Sequence, residues 1–319
     1  MRKIFNFIFF TFFAIGCGIA GGSLIQTAWN HFGPKISSID IPSLTAVASA
    51  IMSQPTDGTI ISGLARSIRY TADEEEGSGE PAFTVDGKLK ITAKTYIIQD
   101  ISHGDIIASQ NPDTLMPIAS LTKLVTAVVA RRLLDPSQKI TITSSIINTY
   151  GNTGGFREGE TFTAEDLLYP LLMVSSNDTA EAYARTVGRK QFIQAMNDFT
   201  QEIGAYRTSF SDPSGLSPKN VSTASDLALI ISWIRTNDPT ILSISATKQK
   251  TVRAHTWTNP THFLSWSYYL GGKNGYTPEA NRTGASLFSY GKDRRTYAVI
   301  VLGSSSRDTD VMSLLKKVE

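Results

Sequence analysis

The sequence predicts an α/β fold that contains antiparallel strands and at least one buried helix. Residues 92–100 and 106–109 form one predicted hairpin. Residues 284–290 and 296–302 form two further predicted strands around a glycine-containing turn. In between, apolar residues at 121–130 lie on all sides of a predicted helix, which is typical of a helix buried inside a domain. These segments predict a domain that combines antiparallel strands with a buried helix.

The predicted buried helix carries a serine and a lysine in the pattern Ser120-Leu-Thr-Lys123. Pro117 suits the start of this helix, and Asp135-Pro136 suits its end. Residues three apart share a helix face, so we expect the Ser120 hydroxyl and the Lys123 ammonium to be neighbours. Burial lowers the pKa of a lysine, which can leave a neutral amine able to take the serine proton. The alternative is a lysine whose charged end reaches solvent.

The Ser-x-x-Lys pattern is weak evidence alone, because three other copies occur. The copy at Ser245 lies in a polar run and is expected to be exposed. The copy at Ser289 spans a Tyr-Gly turn rather than a helix. The copy at Ser313 lies in a short C-terminal amphipathic segment, with its lysine in solvent. Context therefore favours Ser120.

A helix is predicted before the second motif. Thr163, followed by Glu165 and Asp166, predicts a capped helix start with an acidic first turn. Pro170 is expected to kink or interrupt this helix.

The second motif is the polar cluster Ser175-Ser-Asn177. It separates an apolar run from a second predicted helix at 179–184. A polar cluster between two helices can project a hydroxyl and an amide into a cleft, but such residues are also ordinary helix caps. Both can hold, with Ser176 or Asp178 as the cap while Ser175 and Asn177 point inward.

The third motif is Lys273-Asn-Gly275, in a segment at 270–277 that is predicted to be a strand. Two glycines precede it, and glycine in a strand lets another backbone approach closely. Because two more strands follow, this strand is expected to join an antiparallel stack. Taken alone, Lys-Asn-Gly is also consistent with a plain turn.

In this order the motifs resemble the signature set of penicillin-interactive serine enzymes. Residues 91–319 resemble the serine-type D-alanyl-D-alanine carboxypeptidases, the low-molecular-mass penicillin-binding proteins. Further matching segments support the resemblance. They are Ala119–Lys123, Met173–Ala180, Thr208–Leu216, Ser222–Ala228, Leu302–Gly303, and Arg307 before Leu314–Leu315.

The resemblance implies a β-lactamase/transpeptidase-like α/β fold. In that fold an antiparallel sheet is flanked by helices, and a helical region is inserted between the terminal strands, here at roughly 112–250.

The resemblance also implies a role for each motif residue. Ser120 would be the acylated nucleophile and Lys123 its general base. Ser175 would pass a proton to the leaving amine and later move one away from water. Asn177 would orient the substrate amide, and Lys273 would act electrostatically on the Ser175 hydroxyl and the substrate terminus.

The backbone N–H groups of Ser120 and Tyr276 would form the oxyanion hole. N–H groups at a helix start favour negative charge, which suits Ser120 for this role. The substrate-binding residues implied by the resemblance are Asn177, Lys273, Asn274, Gly275, Tyr276, Thr277 and Arg307.

Asn274 departs from the family pattern, which has Thr or Ser between the lysine and the glycine. The family hydroxyl helps to bind the terminal carboxylate of the substrate. An Asn amide can donate N–H to a carboxylate, but its oxygen would repel one. Arg307 could supply a charge-assisted bond instead, although a solvent-exposed arginine at a helix start is an equal alternative. The substitution would affect substrate choice and favour cleavage of internal crosslinks.

Composition limits the function classes. The 319 residues allow one sizeable domain with additional segments, and a net charge of +2 gives no electrostatic case for nucleic-acid binding. The four histidines show no metal-ligand spacing with acids or with the single cysteine. The implied mechanism needs neither a metal nor another cofactor.

The N-terminus predicts a membrane-related segment. Met1-Arg-Lys3 precedes a mostly apolar stretch, so residues 1–27 are a signal peptide or an uncleaved membrane anchor. We favour an anchor that tethers the protein to the cytoplasmic membrane. Residues 28–89 are expected to form a spacer or linker with some helix, and residues 90–319 the catalytic domain.

The implied function is a serine D-Ala-D-Ala carboxypeptidase acting on peptidoglycan stem peptides in the bacterial cell envelope, outside the cytoplasm. β-Lactams would be covalent inhibitors. A D,D-endopeptidase that cleaves peptidoglycan crosslinks would use the same residues, whereas a β-lactamase is disfavoured because no separate glutamate for rapid deacylation is evident. An inactive peptidoglycan-binding protein is the alternative from a different class, and the complete set of motif residues argues against it.

Overall fold

The structure is a computed structural model that describes residues 91–151, 153–292 and 294–318. The membrane-related segment predicted at 1–27 and the spacer predicted at 28–89 lie outside the described residues. In the part of the chain that is described, no helix has both the length and the apolar character needed to cross a membrane.

The strands of the described residues confirm the predicted hairpins. In chain order they are β1 (Thr95–Asp100), β2 (Ile106–Gln110), β3 (Met116–Pro117), β4 (Lys139–Thr141), β5 (Thr161–Thr163), β6 (Val221–Ser222), β7 (Gln249–Val252), β8 (His255–Thr258), β9 (Tyr269–Thr277), β10 (Asn281–Tyr290) and β11 (Arg295–Ser304). Five of them form an antiparallel sheet in the order β2-β1-β11-β10-β9. Strand β9 therefore lies at one edge and carries the third motif.

The helices of the described residues occupy the predicted helical region and the C-terminal end. In chain order they are α1 (Thr122–Leu133), α2 (Ser144–Ile147), α3 (Ala164–Met173), α4 (Asn177–Val187), α5 (Arg189–Glu202), α6 (Ala224–Asn237), α7 (Thr240–Ser245) and α8 (Arg307–Leu315). The first seven lie between β2 and β7, which confirms an inserted helical region.

Both faces of the central sheet are covered. Residues 297–304 of β11 are all buried, without the alternation expected of a strand with one solvated face. On one face Ile300 packs in a cluster with residues of the helical region, and on the other Val299 packs with Leu314 of α8. The architecture is thus a sheet between two helical layers.

Local sequence explains how α3 and α4 begin. The Thr163 side chain accepts a hydrogen bond from the Asp166 N–H, and the Asp166 side chain accepts one from the Thr163 N–H, forming a capping box. Pro170 lies inside α3, but the helix continues to Met173 and is not interrupted. Helix α4 is capped by Ser176, whose hydroxyl accepts from the Thr179 N–H, as one of the predicted alternatives stated.

Candidate active site

Ser120 lies in a short 3₁₀ turn, Ala119–Leu121, that leads directly into α1. The predicted helix therefore begins a few residues later than Pro117, which belongs to β3. Ala119 has a φ of 50°, a left-handed conformation that is strained for a residue with a side chain. Thr122 Oγ1 donates to the Ala119 carbonyl at 2.8 Å, which helps to hold this turn. The half-buried Ser120 hydroxyl is presented at the start of the buried helix.

Lys123 is completely buried in the first turn of α1. Its Nζ donates to Ser120 Oγ at 3.0 Å, to Asn177 Oδ1 at 2.7 Å and to the Ser214 carbonyl at 2.6 Å. The predicted proximity of the serine and the lysine is confirmed, and the alternative of a lysine reaching solvent is wrong. The three acceptors fix the amine beside the hydroxyl.

The electrostatic surroundings of Lys123 favour its neutral form. Burial, and secondarily the positive charge of Lys273, lower its pKa well below the ordinary value of a lysine. The carboxylates of Asp212 and Asp178 oppose this shift. A neutral amine 3.0 Å from the Ser120 hydroxyl can accept its proton, which is the chemistry of a general base.

The loop at 212–217 completes the surroundings of Lys123, and no role was predicted for it from the residues. Asp212 Oδ1 accepts hydrogen bonds from the N–H groups of Ser214 and Gly215, and Oδ2 accepts one from the Ser217 N–H. The carboxylate thereby folds the loop so that the Ser214 carbonyl faces Lys123. The match of Thr208–Leu216 to the family was the one signal that could have found it.

Gly215 allows this loop to pack directly against the turn that carries Ser120. Its φ is +87°, and a Cβ there would lie 1.9 Å from the Ala119 carbonyl oxygen. Only glycine combines this backbone conformation with so close an approach. Thr126 Oγ1 also donates to the Pro213 carbonyl at 2.6 Å, so the loop contacts both α1 and the turn that precedes it.

The second motif stands where α3 ends and α4 begins. Asn177 Oδ1 accepts from Lys123, and its Nδ2 donates to the Tyr150 carbonyl at 2.9 Å, so the amide orientation is fixed by both contacts. Ser175 is half-buried with a φ of 59°, and its hydroxyl has no hydrogen-bond partner among the described residues. Its side chain is therefore free to bond a ligand.

The third motif lies on edge strand β9. Lys273 is buried, and its Nζ donates to the Asn274 carbonyl at 2.8 Å. Burial and then the positive charge of Arg307 lower the pKa of Lys273 from 10.5 to about 7. A Cβ on Gly275 would lie 2.8 Å from the Ser120 nitrogen, so glycine allows β9 to lie directly beside Ser120.

Arg307 is located near Asn274. Asn274 pairs in register with Gly284 of β10, where a Cβ would lie 2.9 Å from Arg307 Cδ. The Arg307 side chain is 19% exposed and its Nε donates to Asp308 Oδ1 at 2.6 Å. The alternative of a freely exposed arginine is therefore wrong.

The last residues of β9 are more open. Tyr276 is 62% exposed, with the Arg282 guanidinium 5.7 Å from its ring centroid, and Thr277 is half-buried. These two residues line the exposed end of the edge strand.

The other Ser-x-x-Lys copies do not form a comparable site. Ser245, expected to be exposed, is buried: its hydroxyl donates to the Leu242 carbonyl and accepts from the Gly272 N–H. It supports the conformation of β9 next to Gly271 while Lys248 is exposed. Ser289 lies in β10 and Lys316 is exposed, as expected.

The three motifs thus converge on one site at the junction of sheet and helical region. Its hydroxyl, buried amine and second ammonium are the groups of a serine acyl-transfer site, and its fold is β-lactamase/transpeptidase-like. The chain belongs to the D-alanyl-D-alanine carboxypeptidase family, whose model matches residues 82–305.

Relatives and solved structures agree with this assignment. A D-alanyl-D-alanine endopeptidase of Escherichia coli is 35% identical over 188 residues, covering 57% of this chain and 59% of that protein. A D-alanyl-D-alanine carboxypeptidase of Mycobacterium tuberculosis is 30% identical over 219 residues, covering 65% and 74%. The cefotaxime-bound structure of penicillin-binding protein D2 from Listeria monocytogenes has a TM-score of 0.62 at 25% identity, covering 71% and 96%. The chain spans 50–65% of the length of three relatives named endopeptidases.

Proposed function

We propose that this protein is a serine D-Ala-D-Ala carboxypeptidase that hydrolyses peptidoglycan stem peptides through an acyl-enzyme on Ser120. The observation that carries the proposal is the Lys123 amine, buried and held 3.0 Å from the Ser120 hydroxyl. Membership of the D-alanyl-D-alanine carboxypeptidase family supports the substrate class.

In the acylation step, neutral Lys123 takes the Ser120 proton as the oxygen attacks the carbonyl between the two D-alanines. The N–H groups of Ser120 and Tyr276 stabilise the negative charge on the tetrahedral intermediate. The C–N bond then breaks as the Ser175 hydroxyl gives its proton to the departing D-alanine amine and takes up the proton held by Lys123, which leaves Lys123 neutral again. Lys273 lies on β9, and its positive charge acts on the Ser175 hydroxyl and on the substrate terminus.

In the deacylation step, water attacks the ester on Ser120, and its proton returns through the same groups. The Ser120 oxygen recovers a proton when the ester bond breaks, so the enzyme is regenerated. Asn177 keeps the Lys123 amine in place throughout, and its remaining N–H orients the substrate amide.

Recognition of the terminal carboxylate is assigned to the side chains near the third motif. Asn274 offers an amide N–H in place of the family hydroxyl. Arg307, whose stem packs over the strand position paired with Asn274, offers a charge-assisted bond. Gly275, Tyr276 and Thr277 provide edge-strand backbone along which an extended peptide can lie.

A D,D-endopeptidase is the second candidate, and two observations favour it. Asn274 stands where the family has a carboxylate-binding hydroxyl, and three relatives at 33–35% identity carry the name D-alanyl-D-alanine endopeptidase. An inactive peptidoglycan-binding protein is not favoured, because the general base retains its contacts with Ser120 and Asn177.

The proposed location is the bacterial cell envelope outside the cytoplasm, where peptidoglycan is found, with the N-terminal segment as a tether to the membrane. β-Lactams are the proposed covalent inhibitors. The cefotaxime-bound state of the Listeria protein is the structural precedent for that class of ligand.

Labelling with a fluorescent penicillin tests the acyl-enzyme. We expect covalent label on the wild-type protein, none on Ser120→Ala, and a labelled peptide containing Ser120 by mass spectrometry. A folded wild-type protein that takes no label would contradict the proposal and favour the binding protein. If label is found, release of D-alanine from a pentapeptide, measured against cleavage of a crosslinked dimer, separates carboxypeptidase from endopeptidase.

A further inference from the structure

Thr283 is a completely buried threonine of β10 that has no part in the steps above. Its Oγ1 donates to the Ile118 carbonyl at 3.1 Å, across 165 positions of the chain. Ile118 directly precedes the turn Ala119–Leu121, and its carbonyl also accepts from the Leu121 N–H, which closes that turn. The Thr283 hydroxyl therefore joins the central sheet to the turn that carries Ser120.

The Thr283 hydroxyl also lies against the edge strand β9. Thr283 pairs in register with Gly275, and a Cβ on Gly275 would lie 2.5 Å from Thr283 Oγ1. The same Cβ would lie 2.8 Å from the Ser120 nitrogen. The Gly275 backbone is thus packed against both the Thr283 hydroxyl and the Ser120 backbone, so the hydroxyl is located where β9, β10 and the turn meet.

On its other side the turn is held by the helical region. Thr122 Oγ1 donates to the Ala119 carbonyl at 2.8 Å, and Gly215 packs closely against the same carbonyl. These contacts fix the turn to α1 and to the 212–217 loop, but they do not connect it to the sheet. Thr283 supplies a hydrogen bond on the sheet side.

The spacing between the turn and β9 matters because the proposed oxyanion hole uses both. One N–H group comes from Ser120 in the turn, and the other comes from Tyr276 on β9. Since the two groups belong to different elements, local backbone geometry does not fix the distance between them. The stabilisation depends on donors that are already aimed at the developing negative charge. A misplacement of about 1 Å can cost roughly 100-fold in rate.

We propose that Thr283 is a positioning residue for the reaction. Through its hydrogen bond to the Ile118 carbonyl, it sets the spacing between the Ser120 and Tyr276 N–H groups that stabilise the tetrahedral intermediate. This inference rests on the proposed function, because it assumes the acyl-enzyme on Ser120 and the oxyanion hole.

The first test is the acylation of Ser120 by a fluorescent penicillin in wild type and Thr283→Val. Valine nearly keeps the shape of threonine but cannot donate to the Ile118 carbonyl. Labelling at a series of penicillin concentrations separates the non-covalent dissociation constant from the acylation rate constant. We expect the rate constant to fall about tenfold while the dissociation constant changes by less than about twofold. Rates refer to the fraction of protein that labels at saturation, so unfolded molecules do not count.

A peptide boronic acid gives a second readout that depends on the oxyanion itself. The Ser120 oxygen adds to boron as its proton moves to Lys123, and the product is a tetrahedral boronate with a negative charge. No acyl group is transferred, so the affinity reports how well the two N–H groups hold a tetrahedral anion. We expect the boronic acid to bind Thr283→Val about tenfold more weakly than wild type, measured in competition with the fluorescent penicillin.

Thr95→Val is the matched control. Thr95 is also a buried threonine of the central sheet, on β1, but its hydroxyl has no hydrogen-bond partner among the described residues. This variant should leave the acylation rate constant and the boronic acid affinity unchanged. Thr283→Ser keeps the hydroxyl and should acylate within about threefold of wild type. Thr283→Ala removes the hydroxyl with a smaller side chain, so it should behave like Thr283→Val and serves if that variant fails to fold.

The outcomes separate this inference from the proposed function. If wild type is not labelled at Ser120, the proposed function fails and this inference fails with it. If wild type is labelled but the variants without the hydroxyl keep its acylation rate constant and boronic acid affinity, the acyl-enzyme stands and the role of Thr283 is overturned. A smaller labelled fraction with an unchanged rate constant would show a merely structural role, which also overturns the inference.

Discussion

At the residue scale, Asn274 is the position that we propose to connect with substrate choice. It lies next to Lys273 on β9 and pairs with Gly284, over which the Arg307 stem packs. An amide here presents both a donor and an acceptor to a bound carboxylate, whereas a hydroxyl can turn its hydrogen toward the ligand. We therefore propose that this residue bears on recognition of the substrate terminus and leaves the Ser120–Lys123 pair untouched.

Replacing Asn274 by Thr should raise activity on a peptide that ends in a free D-Ala-D-Ala carboxylate. One gained hydrogen bond to a charged group predicts an increase in kcat/KM of roughly tenfold. The measurement is D-alanine release from a pentapeptide, compared with the same pentapeptide amidated at its C-terminus. The amidated peptide should show no gain. Equal rates for the variant and wild type on the free carboxylate would mean that the carboxylate is held by other groups.

Arg307 is proposed to bind the same carboxylate, so its replacement should lower activity on the peptide with a free C-terminus. Arg307→Leu keeps much of the packing over Gly284 but removes the charge-assisted bond, so kcat/KM on the free pentapeptide should fall roughly tenfold or more. Activity on the amidated peptide should change little. Equal losses on both peptides would assign Arg307 to the support of β10 rather than to the carboxylate.

The residues that sequence reasoning predicted share one property, since each belongs to a local pattern. Ser120 and Lys123 are three positions apart, so helix geometry alone brings them together. The Ser214 carbonyl meets Lys123 across 91 positions, and nothing local in the sequence specifies that contact. Backbone acceptors and buried carboxylates such as Asp212 acquire their roles only from the tertiary fold.

At the element scale, the site depends on the contact between the 212–217 loop and the turn that carries Ser120. The loop reaches the turn through Gly215, with Thr126 of α1 bonded to the Pro213 carbonyl. Because the contact is backbone against backbone, small shifts in the loop move Ala119 and therefore Ser120. The loop therefore supports the turn that carries Ser120.

Gly215→Ala should disrupt this support. The added Cβ would lie 1.9 Å from the Ala119 carbonyl oxygen at a φ of +87°, so both crowding and backbone strain apply. We expect a loss of about 3 kcal/mol in the free energy of unfolding and a large loss of penicillin acylation. Urea denaturation and labelling measure the two effects.

Gly204→Ala is the matched control for this contact. Gly204 has a similar φ of +84°, but an added Cβ would meet no atom within 4 Å. It should cost only the backbone strain, about 1 kcal/mol, and leave acylation intact. Similar effects of the two substitutions would show that the close approach of Gly215 has no special importance.

Helices and strands with strong local sequence signals could be predicted, whereas the residues at which they begin and end could not be predicted as well. The capping box at Thr163 and the strands β10 and β11 were expected from caps and β-rich runs. Pro170 was expected to kink or interrupt α3, yet the helix continues to Met173, with seven of its ten residues buried. Tertiary packing of the apolar face can outweigh the lost backbone hydrogen bond. The exposure of Ser245 was also predicted wrongly. Its polar neighbours along the chain do not reveal that β9 packs against it and buries it.

At the scale of the whole molecule, the candidate site contains two buried lysines whose charged forms reduce the stability of the fold. Lys123 and Lys273 belong to different layers, the helical region and the sheet, so the site can form only when these layers are packed. Each lysine is fully solvated and readily protonated in the unfolded chain. Global stability should therefore depend on pH in a range set by these two residues.

The sign of that dependence follows from the protons bound in each state. Burial, and then the Arg307 charge, lower the pKa of Lys273 to about 7 in the folded protein, against 10.5 for an ordinary lysine. Between these values the unfolded state binds more protons, so stability rises as pH rises. Lys123, whose pKa is also lowered, adds to the same trend. Above about pH 10 the trend reverses, because burial raises the pKa values of Tyr183 and Tyr269 and the unfolded tyrosines ionise first.

Urea unfolding at pH 7, 8 and 9 should therefore show stability increasing by about 1 kcal/mol or more across this range. Lys273→Met removes one of the two contributions, so the increase should be clearly smaller, and the variant should be at least as stable as wild type at pH 7. Lys248→Met is the control: this lysine is exposed, and its loss should leave the slope unchanged. Parallel profiles for wild type and Lys273→Met would mean that Lys273 keeps an ordinary affinity for its proton in the folded protein.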